Sequence, residues 1–211
     1  SAGDGSSYAQ RLQRIRIAGV VNLYKAIEAF EKKAWEGKPA RVSDYNMFVK
    51  KNLAAANVYF TKEQAAMGAC YPMSCLVSQG TMSPINLAWI TDNITTDIAL
   101  GDFQIESQAT VGNLSAAIIA NNYGYKQGDK ITFGLLRRVW LQVGDNRFPS
   151  VQTEYIELTL DTTNTAICGD VLVSTNAQFA SANAVLTVQA TGEAAIIVHT
   201  REENSQLMCS T

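Results

Sequence analysis

The hydrophobic period of this chain changes once, and that change limits the folds open to it. Up to residue 69 apolar side chains recur every three or four positions; from Cys70 onward they mostly alternate. The first spacing suits helices buried along one face, and the second suits half-buried strands. A helical front followed by a strand-rich body is the expectation.

Tyr8 to Glu36 reads as one long helix. Val20, Leu23, Ile27, Phe30 and Ala34 form its apolar seam, and Arg14, Lys25, Glu28, Lys32 and Lys33 lie on other faces. Gly37 and Pro39 then stop it. In the stretch RVSDYNMFVKKN, Arg41 to Asn52, Ser43 is placed to cap a second helix with Tyr45, Phe48, Val49, Leu53 and Ala56 along one face. Lys50 and Lys51 lie off that face. Packing accounts for neither Asn46 nor Asn52, so each is free to hydrogen-bond the following strand region or another chain. Thr61-Lys62-Glu63-Gln64 matches a capping box and opens a short third helix that Gly68 ends.

In the second part, strands are expected over Tyr71 to Gln79, around Phe103 and Ile105, over Lys130 to Val143, and over Tyr155 to Asp161. A bulge near Gly134 to Arg138, or two separate strands, is expected within the third of these. Val185 to Gln189 and Ala194 to Thr200 flank Thr191-Gly192 as a tight hairpin. TVGNLSAAIIANN, Thr110 to Asn122, interrupts the strands with a helix capped by Thr110, and YGYKQGDKITF turns directly into a strand. The expected fold is α+β: a helical hairpin-like unit over residues 1–69, then a mainly antiparallel sheet or sandwich over 70–211 with one helix near 110–122.

A chain of 211 residues can bury a core without staples. No apolar run approaches the roughly 18 residues of a membrane span. The opening SAGDGSSYAQ has neither a leader pattern nor an initiator Met, and reads as a mature, trimmed or truncated form. Cys70, Cys75, Cys168 and Cys209 lack Cys-x-x-Cys spacing and His199 is the sole histidine, so no zinc set is expected; Cys70 and Cys75 are close enough to pair in an oxidising compartment.

Catalytic chemistry is equally thin. His199 has no nucleophile elbow or Cys signature with it, and reads as a structural or surface residue. Asp97, Asp102, Asp129, Asp145, Asp161 and Asp170 mostly stand beside Gly, Thr or Asn, as turn residues do. DTTNTAICGD gathers oxygen ligands without calcium-loop spacing, and no phosphate-binding glycine motif occurs. The expectation is a protein that is not an enzyme, with no catalytic, cofactor or metal residues, no cofactor and no small-molecule substrate.

Charge is uneven. Residues 1–66 carry eleven Lys and Arg against six Asp and Glu; the remainder carries six against thirteen. Such asymmetry favours head-to-tail association, and a basic helix can also meet phosphates. Candidate interaction residues are Arg11, Arg14, Arg16, Asn46, Lys50 and Lys51.

Arg14 to Ile27, Trp35, the motif Ser43-x-Tyr45-Asn46-x-Phe48-Val49-x-x-Asn52 and Cys75-Leu76-Val77-Ser78-Gln79-Gly80 together resemble a family of small uncharacterised proteins of Bacteroidota and their phages. The resemblance covers roughly the first 90 residues. It implies a structural or accessory protein, with no activity or catalytic residue to carry over. The functional expectation is a structural protein of a phage virion or related assembly, oligomeric or bound to protein partners, in the virion or the bacterial cytoplasm and without a membrane role. The alternative is a nucleic-acid-binding accessory protein using the basic helices.

Overall fold

The computed structural model describes residues 7–31 and 34–211. Helices α1 (Tyr8–Glu31), α2 (Asp44–Asn52) and α3 (Lys62–Ala66) come first, with a 3-10 turn, Leu53–Ala55, between the last two. Then follow β1 (Leu87–Ile90), β2 (Asn93–Ala99), α4 (Val111–Asn121), β3 (Lys130–Val143) and β4 (Asn146–Thr159). The single turn α5 (Cys168–Val171) precedes β5 (Ala177–Ala182), β6 (Val185–Ala190), β7 (Ala194–Glu203) and β8 (Gln206–Cys209). The strands make two antiparallel four-stranded sheets, in the orders β1-β2-β6-β5 and β4-β3-β7-β8. The fold is α+β, as expected.

Strand β3 belongs to two cores. Its Ile131, Phe133 and Leu135 enter a core shared with Ile94 and Ile98 of β2, Leu186 and Val188 of β6, Phe179 of β5 and the buried side of α4. Leu136, on the opposite face, joins Val151 and Val198 against the α1 seam Val20, Leu23, Ile27 and Phe30 and against Phe48 of α2. Alternation across a strand makes this double burial possible, and it arranges the chain as helices, sheet and sheet.

The three expected caps form. Ser43 Oγ accepts from Asn46 N at 3.1 Å, Thr110 Oγ1 accepts from Asn113 N at 3.2 Å, and Thr61 with Gln64 makes the reciprocal capping box. In α4, Val111, Leu114 and Ile118 are buried together. In α2, Phe48 is buried, whereas Tyr45 is partly exposed and packs edge-on against Tyr24.

Other expectations fail for identifiable reasons. Helix α1 ends at Glu31, and the expected Lys32 and Lys33 positions lie outside the described residues. Ala34 to Glu36 leaves helical geometry because it pairs with Gln79: Glu36 N donates to Gln79 O and Gln79 N to Ala34 O, both at 2.9 Å. Tyr71 to Gln79 is not a strand. Its hydrogen bonding is partly taken over by Asn52, which is buried and donates through Nδ2 to Leu76 O at 2.9 Å while its Oδ1 accepts from Leu76 N at 2.7 Å. One side-chain amide thus stands in for a neighbouring strand.

The segment around Phe103 and Ile105 is a loop, packed against the core without pairing. No bulge divides β3, which pairs with β4 in unbroken register from Lys130↔Thr159 to Val143↔Asn146. Residues 131, 133, 135, 139, 141 and 143 share one parity, so no change of face was required. Thr191-Gly192 is not a hairpin either. Strand β6 lies in the first sheet and β7 in the second, and the position a Gly192 Cβ would occupy is 2.6 Å from Leu135 Cδ1. Glycine serves there as a corner pressed against the core. Two-residue hairpins occur elsewhere, at Thr91-Asp92, Gly144-Asp145, Asn183-Ala184 and Asn204-Ser205, and in the last two both turn residues have positive φ.

Two predictions follow from local geometry. Asn52→Ala leaves the amide and carbonyl of Leu76 without their partner and is expected to cost about 2–3 kcal/mol in urea unfolding. Ala184 holds φ at +62°, a conformation glycine adopts without Cβ strain. Ala184→Gly is therefore expected to raise stability by about 0.5–1 kcal/mol in the same measurement.

Candidate interaction surface

The densest polar chemistry lies at one end of the second sheet. The turn after α4 carries Asp129, whose amide closes onto Lys126 O while its carboxylate accepts from Lys126 N at 2.9 Å. This is the turn role expected of it, but only part of its role. Asp129 is 1% exposed, and its carboxylate also receives His199 Nε2 at 2.7 Å, Arg201 Nε at 2.6 Å and Arg201 Nη2 at 2.6 Å. His199 and Arg201 lie two residues apart on β7, so strand periodicity presents both on one face. Tyr125 stacks on the His199 ring at 4.1 Å between centroids, with the planes 1° apart.

Burial alone raises the Asp129 carboxyl, but the Arg201 and His199 hydrogen bonds outweigh it and bring the group down to about 2. A carboxylate only accepts, so His199 Nε2 carries the proton in this bond. Four N–H donors meet one carboxylate, which matches the number of its lone-pair sites. An acid so fully engaged is suited to clamping the 122–129 turn to β7, and poorly suited to taking a proton from a substrate.

A cleft of about 530 Å³ adjoins this clamp, lined in part by Asp97, Asn121, Tyr123, Tyr125, His199 and Arg201. Asp97 is held there by Asn86, whose amide and side chain both donate to it. Asp161 folds its own turn, accepting from Thr163 N, Thr163 Oγ1 and Gln127 Nε2. No group of three His, Cys, Asp or Glu able to hold a metal occurs among the described residues. The cysteines are free thiols; burial pushes Cys70 up to about 12 and raises Cys168 and Cys209 as well.

The residues singled out from sequence are all exposed: Arg11, Arg14 and Arg16 on the outer half of α1, and Asn46, Lys50 and Lys51 on α2. They do not converge on one site. At about 100° per residue, Arg11 and Arg14 lie about 60° apart around the helix, whereas Arg16 points well away from both. Arg16 instead borders a narrow groove formed with Ala56, Tyr59, Phe60, Tyr71 and Met73.

Among the sheet edges that no strand covers, sequence reasoning missed two that carry an exposed tryptophan. Strand β7 covers β3 only from Lys130 to Leu136, so the outer half, Arg137 to Val143, pairs with β4 alone among the described residues. Trp140, in that half, is 51% exposed, with Arg138 and Arg147 guanidinium groups 5.8 and 4.8 Å from its ring centroid. Arg138 also pairs with Glu193 at 3.1 Å. At the far side of the other sheet, β1 pairs only with β2 and exposes Trp89 by 40% and Ile90 by 60%. The available signal was length: β3 spans 14 residues, far beyond an ordinary strand, and such a strand outruns its neighbours.

Acid unfolding tests the clamp. The lowered Asp129 group contributes stability that is present above its unfolded value near 4 and is lost as pH falls through about 2. Asp129→Asn is expected to lower stability at pH 7 by about 2–4 kcal/mol. It should also flatten the pH dependence of urea unfolding between about 4 and 2 relative to the unsubstituted chain.

Among the described residues no helix is long and apolar enough to cross a membrane. Comparison with protein-family models, curated proteins and solved structures finds no match.

Proposed function

We propose that this chain is a non-enzymatic assembly protein that makes protein contacts through its sheet edges, as a component of a phage virion or phage-related particle or of its assembly in the bacterial cytoplasm. The observation that carries this reading is the unpaired outer half of β3, where a half-exposed tryptophan lies on a row of free backbone groups. Exposed edges of that length invite another strand, and stable monomers usually cover, shorten or charge them. The saturated Asp129 carboxylate supports the same reading, because the best-organised polar cluster serves the fold. The virion setting is taken from the resemblance of roughly the first 90 residues to proteins of Bacteroidota and their phages.

Sedimentation velocity over a wide concentration range, in low and moderate salt, is expected to show concentration-dependent association. The reading is overturned if the chain stays monomeric throughout and no partner remains bound during purification from its native source.

Nucleic-acid binding is the second reading, favoured by the exposure of Arg11, Arg14 and Arg16 on the outer half of α1. It predicts binding to duplex or single-stranded DNA that weakens steeply with salt and that Arg11→Gln with Arg14→Gln reduces further. Absence of salt-sensitive binding at low salt removes it.

A further inference from the structure

We infer that the outer half of β3 receives β1 of a second copy of this chain, joining sheets of neighbouring copies edge to edge. The inference rests on the assembly reading above and names the two surfaces and their pairing. Each edge carries what the other lacks. Beside Trp140, Arg147 makes no ion pair with a carboxylate among the described residues, and its charge is spent only on the tryptophan face. Beside Trp89, in the turn that ends β1, Asp92 makes neither an ion pair nor a side-chain hydrogen bond among the described residues.

The other nearby arginines are already committed, Arg137 to Glu154 at 3.2 Å and Arg138 to Glu193 at 3.1 Å, so Arg147 is the cation left for a partner. Asp145 lies in the β3–β4 turn, and Arg147 faces Gln142 one pair in from the closing Val143–Asn146 pair, so the cation offered to Asp92 stands close to the hairpin tip. Lengths also agree, since the four residues of β1 fit within the seven free residues of β3. Both edges expose apolar side chains, Trp140 and Val143 on one and Trp89 and Ile90 on the other, which strand addition would cover.

The two surfaces differ, so the contact is heterologous. It propagates into a filament or closes into a ring according to the rotation between copies. A bilayer or nucleic acid would not need the Asp92 edge at all.

Charge exchange tests this. Arg147→Glu and Asp92→Arg, each alone, are expected to weaken self-association about tenfold or more in sedimentation, and the double variant to recover most of the loss. Trp140→Lys should weaken it without recovery. Both charged sites are surface residues, and unchanged circular dichroism and melting of each variant secures the comparison. On association, amide exchange should slow over Leu87–Ile90 and Arg137–Val143 and stay unchanged along the exposed half of α1. Association indifferent to all three substitutions overturns the edge pairing while the assembly reading stands. So does protection confined to α1. A chain that is monomeric at every concentration, yet retains a different protein on the β3 edge, overturns the second copy as occupant and again leaves assembly in place.

Discussion

Everything in this fold hangs on the second sheet having two buried faces. Strand β3 sends Ile131, Phe133 and Leu135 to one side and Leu136 to the other, so the helical layer and the first sheet are both built against it. A sheet buried on both faces cannot slip by one residue without exchanging its two cores, and this fixes its register strongly. Gly134 belongs to the same constraint: a Cβ there would meet Ile196 Cγ1 at 2.7 Å, so β7 can lie closely alongside only because that position is bare.

The same sheet explains how the helical front is attached. Tyr155 of β4 stacks on Phe30 of α1 and donates its hydroxyl to Ala26 O at 3.3 Å. Asn22 of α1 in turn donates to Ala65 O and Ala69 O, which holds α3 and the segment after it. Ser150 Oγ then donates to Gly68 O from the β4 side. Side-chain-to-backbone bonds of this kind let irregular segments pack where regular pairing stops.

How much of this could be read from sequence depends on how local the cause is. Ser43, Thr61 and Thr110 act on amides three residues away, and each cap was legible from its neighbours. The seam of α1 was legible for the same reason, being a repeat within one helix. Asn52 was noticed as unexplained by packing, but its partner Leu76 lies 24 residues away in a stretch whose composition suggested a strand. Asp129 looked like a turn residue and is one; nothing near it announced His199, 70 residues on. Strand β2 passed unread because its alternation mixes Ile with Thr, Asp and Asn, and Thr96 is buried by a hydrogen bond to Leu186 O rather than by an apolar side chain; β1, four apolar residues, is too short to show a period. The free half of β3 was invisible because periodicity tells where a strand runs and says nothing of where its neighbour stops.

The joint at Glu36 has a consequence for how the chain comes together in time. Its carboxylate accepts from Thr81 N and Oγ1, both at 2.8 Å, and from Cys209 N at 3.2 Å, while Cys209 Sγ donates toward Ala34 O and Gln79 O. Residues separated by up to 175 positions therefore meet at one point. On a ribosome, the helices emerge early but their seat against the sheet is missing its last piece until residue 209 has left the exit tunnel. Contacts of such long separation are slow to form, because the entropy of closing the loop is lost before the contacts repay it. The helical layer would thus be held waiting, with its apolar seam incompletely covered, until some 175 further residues have been made.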